Sequence, residues 1–144
     1  MAKGFEGFHR VVKHSLPVMA APYLCPAGFW TKGFGRLCRQ DDPPCTMEQA
    51  ETWLAEDLAK ARAQVLALTK VSLTDGQLDA LTDWVFNLGS GRYRGSTLRA
   101  VINRGEFGRA PAEIRKWVYG GGQKLPGLVA RREAEVVLWG QPNR

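Results

Sequence analysis

Cysteine and histidine are scarce in this chain of 144 residues, and their placement excludes more than their number does. There are three cysteines and two histidines. No two cysteines stand in CxxC spacing, and His9 and His14 precede Cys25, Cys38 and Cys45, so zinc-ligand patterns are absent and no metal is expected. Cofactor signatures are missing as well. Gly33-Phe34-Gly35 lacks the later glycine and the strand-loop-helix setting of a phosphate-cradling loop, and it fits tight hairpin geometry better. No apolar run reaches the roughly 18 residues of a membrane span, so stable membrane insertion is not expected. The chain shows no internal repeat, low-complexity tail, heptad run, or RNP, KH or helix-turn-helix signature, and a nucleic-acid partner is not expected.

What is present is ordinary in bulk and uneven in charge. Hydrophobic residues make up 44% and charged residues 24%, as in one soluble domain able to bury a core. The net charge of +6 favours polyanionic partners: nucleic acid, an anionic membrane surface or an acidic cell-wall polymer. Residues 16–30 are mostly apolar and follow Arg10, Lys13 and His14, which imitates a signal peptide. Pro17, Pro22 and Pro26 oppose the helix that such a segment needs. The expectation is a mature soluble chain without its own export signal, acting as a monomer. Cys38 and Cys45 are close enough to bridge in an oxidising compartment, but free thiols are the favoured reading.

Residues 1–14 suggest a helical turn leading into a strand. Residues 15–35, rich in Pro, Gly, Ala and aromatics, suggest a small β-hairpin or meander. Thr46-Met47-Glu48-Gln49 has the form of a capping box. Behind it Met47, Ala50, Leu54, Leu58, Ala61, Val65 and Leu68 mark one helix face running to about Lys70. Thr74 to Gln77 repeats the cap, and Leu78, Leu81, Trp84, Val85 and Leu88 predict a second helix that stops near Gly89-Ser90-Gly91. Short helices are predicted over residues 97–102 and 110–118. Gly120-Gly121-Gly122 reads as a flexible break, and Pro126 opens a last helix whose apolar residues are Leu128, Val129, Val136, Val137 and Leu138. The fold class is therefore α+β with helix dominating: an N-terminal β-containing lobe (about 1–45), a connecting helix (about 46–70) and a helical lobe (about 71–144) within one domain.

Each chemically suggestive residue has a plain alternative. Glu6, between Phe5 and Phe8, is either a surface carboxylate or a general acid whose pKa is raised by apolar surroundings. Cys25 is either a buried small residue or a reactive thiol. Thr31 is either a strand residue or a hydroxyl that orients a water. Arg131 and Arg132 with Glu133 and Glu135 read as a solvated helix face. Trp117, Tyr119 and Trp139 read as packing residues.

In order, the chain contains Phe5-Glu6-Gly7-Phe8, Tyr23 to Gly28, Trp30-Thr31-Lys32-Gly33-Phe34-Gly35, Gln77 to Leu81, Val85-Phe86-Asn87-Leu88-Gly89, Ser96-Thr97-Leu98 and Lys124 to Val129 followed by Arg131-Arg132. From about Lys3 to Trp139 this resembles the phage-type lysozymes, the endolysins related to the lysozyme of T-even phages. The resemblance implies a lysozyme-like fold with a cleft between a small β lobe and a helical lobe. It implies hydrolysis of the β-1,4 bond between N-acetylmuramic acid and N-acetylglucosamine in peptidoglycan, in the service of host lysis. The family's Glu, Asp or Cys, and Thr map onto Glu6, Cys25 and Thr31. Leu37, Phe86, Asn87, Ser96 and Thr97 match its sugar-binding positions.

Three departures accompany the resemblance. Glu6 and Cys25 stand further apart than in the usual pattern, which places a longer loop or hairpin around residues 9–21. Arg36 replaces the usual histidine, so an ion pair with Asp79 or Asp83 would have to be rebuilt. Lys32 replaces an apolar residue. A cysteine-dependent wall peptidase, a lytic transglycosylase and a non-catalytic binder remain the competing readings. With Glu6 so early in the chain, removal of the apolar stretch would discard the acid. The expected route is therefore synthesis in the host cytoplasm and release through a membrane hole made by another protein.

Overall fold

The structure, a computed structural model, describes residues 44–143 and, before them, the backbone of five short strands. The chain divides into two compact units, residues 1–57 with 120–122, and residues 58–119 with 123–144.

In the first unit β1 (Val11–Val12), β2 (Met19–Ala20) and β6 (Cys45–Thr46) form an antiparallel sheet in the order β1-β2-β6. Val11 pairs with Ala20 and Val12 with Met19, both strands lying within the additional segment between Glu6 and Cys25. A second antiparallel sheet, β3 (Tyr23–Leu24), β4 (Trp30–Lys32) and β5 (Arg36–Leu37), is a meander in chain order.

Helix α1 (Met47–Leu68) starts where the capping box predicts. Thr46 Oγ1 accepts from Gln49 N at 3.0 Å and Gln49 Oε1 accepts from Thr46 N at 3.0 Å. The reciprocal bonds satisfy two donors that a helix N-terminus otherwise leaves open. Ala50, Leu54, Ala61 and Val65 form its buried stripe at four- and seven-residue steps, while Met47 at the cap is exposed.

The second unit is helical. Helix α2 (Asp75–Leu88) repeats the capping box with Thr74 and Gln77. Then follow α3 (Ser90–Arg94), α4 (Thr97–Asn103), a 3-10 turn (Phe107–Arg109), α5 (Ala110–Arg115), the strands β7 (Tyr119–Gly120) and β8 (Gln123–Lys124), and α6 (Pro126–Trp139). The core gathers Val65, Leu81, Trp84, Tyr93, Leu98, Val101, Ile102 and Ile114. Each such buried aliphatic side chain contributes roughly 1.5–3 kcal/mol. Trp84 is held edge-on by Tyr93 and Trp117, with ring centroids 6.0 and 5.2 Å away.

Helix α2 lies along α6, and Gly76 is what lets them approach. A Cβ there would run into the backbone carbonyl of Leu138 and press on that of Gln141. Gly76→Ala is therefore expected to lose about 1–3 kcal/mol in a denaturant melt, although alanine is the better helix former.

Five local expectations change. Gly89 does end α2, but the chain re-enters a helix at Ser90 because Tyr93 is buried in the core. Helix α5 stops at Arg115 rather than 118, since Val118 accepts from Leu125 N at 2.9 Å to close a hairpin. The triglycine is the tip of that hairpin. Gly121 (φ 58°) and Gly122 (φ 80°) take the two left-handed positions of a type I′ turn, which residues with a Cβ resist. Tyr119, at 64% exposure, does not pack inside.

The fifth change is the largest. On α6 the buried residues are Arg131, Arg132, Glu135 and Trp139, while Val137 faces solvent and Leu128, Val129, Val136 and Leu138 are half-buried. The stretch expected to be a solvated face is the inner one, apart from the exposed Glu133. Burial is tolerated because Arg131 is paired with a carboxylate on another helix and Arg132 is held by three hydrogen bonds.

Candidate active site

Of the three residues expected to do the chemistry, the backbone of one is described. Thr31 sits on β4, where its register partners are Tyr23 on β3 and Leu37 on β5. The meander thus aligns Thr31 with Leu37, another expected site residue. Glu6 and Cys25 lie outside the described residues, as does Cys38. Cys45 is buried on β6.

The expected sugar-binding residues of the second unit fall into two places. Phe86 and Asn87 occupy the last turn of α2. Phe86 is half-buried against the core, with the Arg131 guanidinium carbon 5.6 Å from its ring centroid. Asn87 Oδ1 accepts from an Arg132 terminal nitrogen at 2.8 Å. Ser96 and Thr97 open α4. The Ser96 hydroxyl caps that helix, accepting from Arg99 N at 3.0 Å and donating to Tyr93 O at 2.7 Å. Thr97, next in the chain, is exposed and lines a depression of about 510 Å³. Arg92, Leu98, Glu113, Lys116, Trp117 and Tyr119 complete the wall. Lys116 Nζ bonds Glu113 Oε1 at 2.9 Å, which leaves Arg92 as the positive wall residue without a carboxylate among the described contacts.

Behind Phe86 and Asn87 lies a buried charge cluster. Arg131 grips Asp83 with Nε on Oδ2 and a terminal nitrogen on Oδ1, both at 3.0 Å. Asp83 therefore already has its cation, and the side chain of Arg36 is outside the described residues. Arg132 donates to Glu135 Oε2 at 3.0 Å, to Asn87 Oδ1, and to the Trp117 carbonyl at 3.2 Å. Its Nε lies 2.8 Å from Glu135 Oε1 as a charge contact.

Burial alone would raise Asp83, but hydrogen bonds from Glu135 and Arg131 and the charges of both arginines hold it below its ordinary 3.8. Burial pushes Glu135 up to about 9; its hydrogen bond to Asp83 and that residue's charge add to this, and Arg132 only partly offsets them. The two acids thus share one proton at neutral pH. Among the described residues no group of three or more His, Cys, Asp or Glu could hold a metal, and no helix is long and apolar enough to cross a membrane.

Residues 13–135 match the phage lysozyme family. The chain belongs to that family. It is 41% identical over 122 residues to an endolysin of Acyrthosiphon pisum secondary endosymbiont phage 1, covering 81% of this chain and 84% of the relative. A SAR-endolysin of Enterobacteria phage PA-2 is 36% identical over 124 residues, covering 83% and 75%. Among solved structures, the muramidase domain of SpmX from Asticaccaulis excentricus aligns with a TM-score of 0.79 at 28% identity, covering 98% of this chain and 92% of that one. The α+β lysozyme-like architecture expected from the sequence is thereby established. Cys25, Thr31 and all five expected sugar-binding residues fall within the matched span; Glu6 precedes it.

What the sequence reading of this lysozyme missed is the cluster behind the site. Arg131 and Arg132 stood in the family motif but were read as surface. Their partner Asp83 is 48 positions away, beyond any local window. One signal was available: positions 131, 132, 135 and 139 share one side of a helix, and the first three include both basic and acidic residues.

Proposed function

We propose that this phage endolysin hydrolyses the β-1,4 bond between N-acetylmuramic acid and N-acetylglucosamine with Glu6 as general acid. The observation that carries the reading is the family match over residues 13–135, supported by endolysin relatives, one of them 41% identical. Protonated Glu6 donates to the glycosidic oxygen as the bond breaks and the ring gains oxocarbenium character. Thr31 and Cys25 hold a water on the opposite face. In an inverting reaction the two catalytic groups stand roughly 6.5–9.5 Å apart to admit it. A thiol with the ordinary pKa of about 8.5 is a weak base at neutral pH, so the water-holding role suits Cys25 better than proton abstraction.

Leu37, Phe86, Asn87, Ser96 and Thr97 form the sugar-binding set. Phe86 presents an apolar wall to a pyranose face, and Asn87 hydrogen-bonds the substrate. Ser96 serves by holding the start of α4 so that Thr97 stays at the depression. Arg92 and Lys116 beside Trp117 give that depression the charge and stacking surface that suit the carboxylate-bearing peptide stems of the wall.

Mass spectrometry of the products from purified peptidoglycan tests the reaction class. New reducing muramic acid ends that have gained one water are expected. Anhydromuramic ends would make the enzyme a lytic transglycosylase, and new free amines would make it a peptidase.

The site of action is the cell wall in the periplasm. The enzyme is made in the host cytoplasm, works as a monomer and is released through a hole made by another protein, so Glu6 remains on the active chain. A mature enzyme lacking residues 1–21 would overturn that route.

A further inference from the structure

Asn87 carries one acceptor and two donors on a short side chain, and which of them the substrate meets depends on how the amide is turned. An arginine guanidinium has only N–H donors, so the Asn87 atom facing Arg132 at 2.8 Å must be the carbonyl oxygen. The two N–H groups then point away from Arg132, and no described contact engages them. Arg132 cannot easily turn aside. It is fully buried, anchored to Glu135 on its own helix and to the Trp117 carbonyl, and so ties the end of α2 to the segment after α5.

We infer that Arg132 is a positioning residue that fixes the polarity of Asn87, so that this side chain offers the glycan strand donors only and selects an acceptor oxygen there. The inference rests on the proposed reading in which Asn87 meets the substrate. Two groups of the wall polymer supply such an oxygen: the acetamido carbonyl of a sugar and a carboxylate of the peptide stem. A rotated amide would present its own oxygen to the same group and repel it. The effect is one of recognition, so it belongs in KM and in substrate preference rather than in kcat.

The test measures kcat/KM on three substrates: intact peptidoglycan strands, strands chemically de-N-acetylated, and strands stripped of peptide stems. The wild-type enzyme is expected to lose about tenfold on whichever substrate lacks the acceptor, the size of one hydrogen bond made in recognition. Asn87→Asp pairs with Arg132 but has no donor. It should fold normally and show no such loss, because its rate on intact strands has already fallen through KM. Arg132→Met with Glu135→Met replaces the buried pair by apolar side chains of similar size, a change that folded proteins tolerate. It frees the amide to rotate and should shrink the same preference. Should that variant not fold, Arg132→Lys, which keeps the charge near Glu135 but loses the forked reach to Asn87, is expected to shrink the preference in the same direction. A merely structural Arg132 would lower all three rates together and leave their ratio unchanged. An unchanged ratio in a folded Arg132 variant, with the ratio lost in Asn87→Asp, overturns the positioning role alone. An unchanged ratio in Asn87→Asp removes Asn87 from the substrate site and the inference with it.

Discussion

Glu6→Gln is expected to lower the release of reducing ends from purified peptidoglycan by about 10²–10⁴-fold while leaving the melting temperature within a degree or two of wild type. The amide fills the same volume and still forms hydrogen bonds, but it has no proton to give to the departing sugar oxygen. Protonation of that oxygen is what an oxocarbenium-like transition state demands before the bond can break. Thr31 and Cys25 can hold water in the variant but cannot supply that proton. The loss should therefore appear in kcat with little change in KM, the mark of an interaction made in the transition state. Circular dichroism separates this from unfolding. A folded Glu6→Gln protein that lyses walls at the wild-type rate would remove Glu6 from the mechanism.

The second large effect concerns stability and its dependence on pH. Folded Glu135 keeps its proton to about pH 9, whereas an unfolded glutamate releases it near its ordinary 4.5. Between those values folding takes up a proton, so stability is greatest below the unfolded pKa and falls as pH rises toward 9. Asp83 acts in the opposite sense. Its pKa is lowered in the folded protein, so its contribution is present above 3.8 and is lost as pH falls through the lowered value. Glu135→Gln imitates the protonated acid. It should match wild type at pH 5, be the more stable protein at pH 8, and flatten the slope between. A slope that persists unchanged in the variant would assign it to another group. Arg131→Met should behave quite differently, because it leaves the Asp83 carboxylate buried without its guanidinium. A loss of about 3–5 kcal/mol at pH 7 is expected in urea melts.

The sequence signalled this fold wherever a local rule coincided with the tertiary arrangement. Both capping boxes stand where Thr46 and Thr74 announced them, because the bonds that define such a cap join residues three apart. The Pro126 start of α6 was legible for the same reason. The face of α6 was not. Its apolar residues suggested the inward side, yet the inner stripe is charged, and what permits this is Asp83 on a helix far earlier in the chain. Helix α3 escaped notice because two glycines flank its first residue and the burial of Tyr93 that stabilises it is a tertiary event. The triglycine was rightly seen as a break, but its left-handed tip needs paired strands on either side to become a turn. At the site, the types and order of Glu6, Cys25 and Thr31 carried the family resemblance, and the alignment of Thr31 with Leu37 gives part of it a geometric form. The tie from Arg132 to Asn87 had no counterpart in the sequence, since a charge expected in water suggests no buried partner.

The two kinds of ion pair in the helical unit respond differently to ionic strength. Arg104 with Glu106 and Arg115 with Glu133 are half-exposed, so dissolved ions weaken them; at about 0.15 M screening sets in over roughly 8 Å of water. Asp83 with Arg131 is sealed from the solvent, so dissolved ions hardly weaken it. A change of salt around the protein thus loosens its outer ion pairs and leaves the innermost one almost untouched.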